Sequence, residues 1–218
     1  MEDVVRNSGA AEDDPICAVF MTMLPVHHVG VSTLGPPFDV ETVCASDLIA
    51  SALEEIQLDS GVGPGWTAHA TGAPVLIHDV RESTTLDHTG FHAAAADRGV
   101  RSIYAFPMAV GMIEVGAVDL YVDDPDALKH RDVALASAMA EAAALRIFDR
   151  VLAGEDIARG TGGSSRRIVH QATGMVCAQL RVSPDDALII IRAYAFASGR
   201  SVLSIAESII SREIDFTV

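Results

Sequence analysis

Alternating and helical periods of apolar residues mix through the first 153 residues, whereas only helical periods occur beyond residue 165. The runs Arg101–Val110 and Ile113–Val122 flank Gly111-Met112, a two-residue turn signal, and predict a β-hairpin. Val26–Thr33 predicts a strand that ends at the turn Leu34-Gly-Pro-Pro, and Pro74–His78 predicts a short buried strand. Leu48, Ile49, Ala52, Leu53 and Ile56 recur at helical spacing, which predicts a helix over Ala45–Leu58 capped by Ser46 or Asp47. Thr89–Arg98 reads as a short amphipathic helix, and the cluster Gly61-Val-Gly-Pro-Gly-Trp66 as a turn. From Lys129 to Leu152 the apolar positions predict a long Ala-rich helix, too apolar for a solvated surface, that packs on the sheet or on a partner chain.

A Gly/Ser-rich break at 154–163 follows, with linker composition. Beyond it, three short helices are expected. The first spans Arg166–Leu180. The second opens at Ser183-Pro184-Asp185-Asp186, which supplies an N-cap, a proline at N1 and acids in the first turn, and stops at Gly199. Ser201 caps the third, which is expected to close near Phe216. The chain therefore divides into an acidic mobile leader at 1–15, an α+β domain at 16–153, a linker at 154–163 and an all-α module at 164–217.

Composition narrows the function. The 218 residues carry a net charge of −15, which taken whole argues against nucleic acid. The charge is uneven, however. Residues 164–218 hold six Arg and five acidic residues, a net of +1, so the acidity belongs to the first domain. Cys17, Cys44 and Cys177 form no CxxC pair, so neither a zinc site nor a disulfide framework is expected, and a reducing, cytoplasmic compartment fits. No secretory leader and no run of ~18 apolar residues is present, so no membrane segment is expected. There is no GxSxG elbow, HExxH pair or placed carboxylate pair, which argues against an enzyme. The Gly61–Gly65 stretch lacks the Walker lysine and is no phosphate loop. His88 and His92 straddle Gly90, while His27 and His28 point to opposite faces of a strand, so no metal site is assigned.

The run Ile168-x-x-Gln171-Ala172-Thr-Gly174-Met175, then Ser183–Ala187, Arg192-x-x-Ala195 and Ile205-Ala206, resembles an ANTAR domain. Gly63-Pro64 with Ala68, Gly72-x-Pro74-Val75, Asp79, the Val100–Pro107 strand and Gly116–Tyr121 resemble a GAF domain. The resemblance implies a GAF-type antiparallel sheet flanked by helices, and a three-helix RNA-binding module behind it. It further implies a homodimeric, signal-responsive regulator that binds stem-loops in nascent transcripts and prevents transcription termination. Arginine, aromatic and amide side chains bind RNA loops, so Arg166, Arg167, Gln171, Arg192, Phe196, Arg200 and Ser201 are the contact candidates. For each arginine the alternative is a solvated charge or an ion pair, and for Phe196 it is core packing. Ala172 and Gly174 are expected to allow close helix packing. The free amides at the start of the third helix, at Val202 and Leu203, are a further candidate for phosphate.

A GAF pocket would draw on Trp66, His78, Phe106 and Tyr121 for an unidentified small molecule, or it serves dimerisation alone. Cyclic nucleotides are disfavoured because the chain has no Asn-Lys pair, and no cysteine sits where a bilin would attach. Haem ligation by His69 or His78 is the minor alternative, and no cofactor is expected. The acidic first domain is expected to repel RNA or to mask the module. The other reading is a ligand-binding or interaction protein whose helical end docks on a protein partner without RNA.

Overall fold

A computed structural model describes residues 15–82, 89–153, 161–198 and 200–217. In chain order the elements are α1 (Pro15–Met23), β1 (His28–Thr33), β2 (Glu41–Ala45), α2 (Leu48–Ser60), α3 (Pro64–Thr71), β3 (Val75–Ile77), α4 (Thr89–Asp97), β4 (Ser102–Val110), β5 (Ile113–Val122), α5 (His130–Leu152), α6 (Thr161–Leu180), α7 (Pro184–Ser198) and α8 (Val202–Ile210). The β4–β5 hairpin is the heart of the sheet, and Gly111 makes its turn at φ 62°. β1 adds to the free side of β5 with His28 opposite Tyr121, and the order is β2-β1-β5-β4-β3, antiparallel throughout.

Strand alternation sorts the two faces. Val29, Val31, Tyr104, Phe106 and Leu120 point to one side, where Phe20 of α1 and Ala136, Ala140 and Ile147 of α5 cover them. The small alanines let α5 lie close to the strands. On the other side Ile103 and Tyr121 meet Leu53 of α2 and Phe91 of α4, and α3 lies across β4 and β5. Helix ends follow local chemistry. Asp47 accepts from the amides of Ile49 and Ala50 at 2.8 and 3.0 Å, and Gly61 closes α2 in the left-handed region. The helices α6, α7 and α8 enclose a separate core of Ala172, Val176, Ile191, Ile205 and Ile209. α6 also lies against the edge strand β2.

Several expectations are corrected. Ala45 belongs to β2, and α2 starts at Leu48, because Asp47 rather than Ser46 caps it. Pro64–Trp66 is not a turn but the first turn of α3, with Pro64 at the N-terminal position where its missing N–H costs nothing. α6 begins at Thr161, so part of the expected linker is helical; residues 154–160 lie outside the described residues, as does the expected leader except Pro15. α8 ends at Ile210, followed by Arg212 at φ 62°, well before Phe216. Cys17 and Cys44 are joined as a disulfide between α1 and β2. The expectation of no disulfide fails because packing of α1 on β1 and β2, and not sequence spacing, brings together cysteines 27 residues apart.

Candidate functional site

Beneath α2 the sheet buries polar groups. β1 presents Gly30 and Ser32, β5 presents Asp119 and Tyr121, and α2 supplies Glu54 and Gln57 one turn apart. The Ser32 hydroxyl donates to Glu54 Oε2 at 2.5 Å, and the Tyr121 phenol donates to Glu54 Oε1 at 2.8 Å. Gln57 Nε2 donates to Asp119 Oδ2 at 3.0 Å and to the Tyr121 oxygen at 3.2 Å. Gln57 Oε1 accepts the Gly65 amide at 2.9 Å, and the Gln57 carbonyl accepts the Trp66 indole N–H, also at 2.9 Å. Gln57 thus ties α2, α3 and β5 into one network.

Burial sets the protonation of this cluster. It pushes the Asp119 carboxyl well above the usual carboxylate range, helped by the neighbouring charge of Glu54, which favours the protonated form of Asp119. Burial raises Glu54 as well, and raises the Tyr121 phenol. Such a cluster can hold one proton between two carboxyls and can re-pair its amide and hydroxyl groups.

The four expected pocket residues are not brought together. Tyr121 belongs to the network and Trp66 borders it, half-buried on α3. Phe106 points to the opposite face, under α5. His78 stands exposed at the end of β3, 2.8 Å from Asp126. His69 lies on α3 with Nε2 3.8 Å from Glu114. His28 bridges Asp47 at 2.8 Å and Asp123 at 3.3 Å, which raises its pKa above the ordinary histidine value. His88 is outside the described residues. Glu54, Gln57 and Asp119 were missed by sequence reasoning. The available signal was Asp119 in the apolar run Gly-Ala-Val-Asp-Leu-Tyr and Gly30 facing α2 in a strand otherwise rich in β-branched residues.

On the helical module, Gln171 is exposed on α6. The backbones of Arg166 and Arg167 ride on α6 and that of Phe196 on α7, and their side chains lie outside the described residues. Arg200 is exposed, and its guanidinium folds along α8 to donate to the Ser204 and Ser208 hydroxyls, each at 2.8 Å. Ser201 caps α8 by accepting the Ser204 amide at 3.2 Å. Among the described residues, two hydrogen bonds reach the α+β domain: the Val202 amide donates to Asp59 Oδ2 at 3.0 Å, and Arg192 reaches the Leu58 carbonyl at 3.5 Å.

Residues 163–210 match the ANTAR domain family. The rest of the chain has the fold of the GAF domain of a two-component sensor histidine kinase from Bacillus halodurans, with 13% identity, a TM-score of 0.50, and 67% of this chain and 100% of that one covered. A putative sensor histidine kinase domain from Sinorhizobium meliloti is similar over 64% of this chain and 90% of its own length, at 13% identity and a TM-score of 0.48. A GAF/HD domain protein from Geobacter sulfurreducens is similar over 63% and 90% respectively, at 17% identity and the same TM-score. No curated protein matches the chain.

Proposed function

We propose that this chain, an ANTAR domain behind a GAF-like fold, is a signal-responsive regulator that binds stem-loop RNA in nascent transcripts and prevents transcription termination. The observation that carries this reading is the ANTAR match over α6, α7 and α8. Charge supports it, since the module is net positive while the sensor half is strongly acidic. Arg166, Arg167, Gln171, Arg192, Phe196, Arg200 and Ser201 are the contact set, and the network around Glu54, Gln57, Asp119 and Tyr121 is the sensing element for a small polar signal. No helix among the described residues is long and apolar enough to cross a membrane. A target in nascent transcripts assigns the protein a cytoplasmic place, against the ordinary scarcity there of disulfides such as Cys17–Cys44, and we assign it no catalytic role.

A homodimer completes the reading, because two modules on one scaffold turn weak single contacts into useful avidity. The outer face of α5 supports it: Leu135, Ala138, Ala142 and Leu145 are exposed at alternating spacings of three and four, Asp149 takes the next place, and exposed Leu152 follows three residues later.

Crosslinking and sequencing of RNA bound in cells tests the function. Enriched transcripts with paired hairpins are expected; their absence counts against antitermination. The second reading, docking of the helical end on a protein partner, draws on Ile189 and Tyr194, exposed on α7. Salt separates the two, since RNA affinity falls steeply as salt rises and apolar docking does not.

A further inference from the structure

We propose that the C-terminal end of α2 is a built-in plug on the RNA-binding module: Asp59 and the Leu58 carbonyl occupy the N-terminus of α8 and Arg192, and RNA binding requires their release. The inference rests on the RNA-binding reading above and names how that same site is regulated.

The contact uses the groups RNA would use. The Val202 amide is one of the N–H donors at the start of α8 that have no partner within the helix, where the helix dipole favours an anion. A phosphate oxygen would sit there. Instead, a carboxylate oxygen of Asp59 accepts that N–H at 3.0 Å. Arg192, a contact candidate from sequence, is turned toward the Leu58 carbonyl and lies close enough to Asp59 to interact with its charge. Occupation by Asp59 and by phosphate is mutually exclusive, because both need one donor and one positive end.

The plug is polar and small, so it is reversible. Burial pushes the Asp59 carboxyl up to about 6, with the Glu55 charge adding to the rise. The ionised carboxylate is therefore held at a desolvation cost near neutral pH, and the contact sits close to release. Its position also couples it to the sensor network. Gln57, which binds Asp119, Tyr121 and Gly65 beneath α2, immediately precedes Leu58 and Asp59. A signal that re-pairs Gln57 moves the end of α2, and with it the plug.

The test uses the full chain, wild type and Asp59→Ala, with a two-hairpin RNA as probe and small-angle scattering as a readout independent of RNA. Loss of one charge-assisted hydrogen bond and its competing anion predicts about tenfold tighter RNA binding by the variant. A larger radius of gyration is expected with it. If both proteins bind the hairpin RNA alike, the plug is overturned and the RNA reading stands. If the variant expands yet neither protein binds RNA, the RNA reading fails and the inhibitory role fails with it. An unchanged radius together with unchanged affinity overturns the contact itself. Asp59→Asn, which keeps the shape of the protonated carboxyl, is measured in parallel so that a folding defect in the alanine variant does not decide the result: it should stay docked, with an unchanged radius of gyration, and bind RNA more weakly than wild type, whereas tightening equal to that of the alanine variant would overturn the plug as described.

Discussion

The Tyr121 phenol donates a 2.8 Å hydrogen bond to Glu54, which is buried in one polar network with Asp119. Both carboxyls are raised by burial, so the folded chain binds more protons than the unfolded one once pH exceeds the ordinary carboxylate range. Stability from this pair is fully present below the unfolded carboxyl values and is lost as pH rises toward the folded ones. The expected loss is up to about 1.4 kcal/mol per pH unit for the one retained proton. Asp119→Asn keeps the shape and removes the titrating proton, so urea titrations of this variant should show a flatter pH profile and higher stability at pH 8. An unchanged slope would remove Asp119 as the source.

Gly116→Ala should be far more damaging than Gly65→Ala. A Cβ at Gly116 would lie 2.0 Å from the Ser32 backbone oxygen, which is fixed by the β1–β5 ladder. At Gly65 the clash is with the Asp119 carboxylate at 2.4 Å, a side chain that can shift. Expected costs are about 3 kcal/mol or more against ~1–2 kcal/mol, read by chemical denaturation.

Reduction of Cys17–Cys44 should lower thermal stability without changing helical content. Closing a 27-residue separation contributes up to about 3.5 kcal/mol through the unfolded state. Melting with and without reductant, alongside Cys44→Ser, checks it; the serine variant should be insensitive to reductant.

Leu145→Glu puts a charge in the middle of the exposed α5 stripe. Sedimentation should then move from dimer to monomer, with RNA avidity lost in parallel. A monomeric wild type would dismiss this face as the seam.

Acid should tighten the plug. Asp59 is raised to about 6 when docked, so the docked form takes up a proton that the undocked form releases, and docking strengthens as pH falls through 6. Arg192 opposes this rise and Glu55 favours it, and these are the charged groups that act on Asp59. The ratio of RNA affinities, Asp59→Ala over wild type, should therefore grow between pH 7.5 and 5.5. Taking the ratio cancels the pH response of the RNA contacts themselves.

Much of this architecture is legible in the sequence because strong periods and caps coincide. The β4–β5 hairpin, α5, α7 and the Asp47 cap are examples. β2 was hidden because five residues, Glu41–Ala45, are too few to establish a period. α3 was hidden because glycine and proline, ordinarily turn residues, here supply an N-terminal proline and a flanking cap. Grouping Phe106 with Tyr121 fails on strand register: Phe106 pairs with Val118 and Tyr121 with Ile103, so their side chains leave opposite faces. Glu54 and Gln57 resemble solvent-facing residues of an amphipathic helix, and only the polar groups beneath them on β1 and β5 make their burial tolerable. No local pattern carries that information.

Three consecutive residues of α2 serve two masters: Gln57 faces inward to the buried polar network, and Leu58 and Asp59 face the module. Under the proposed plug, any substitution in this helix that adapts the protein to a new signal also shifts how readily the output escapes without one. Signal range and basal leakiness are thus inherited together, and relatives that differ at the end of α2 should differ in both.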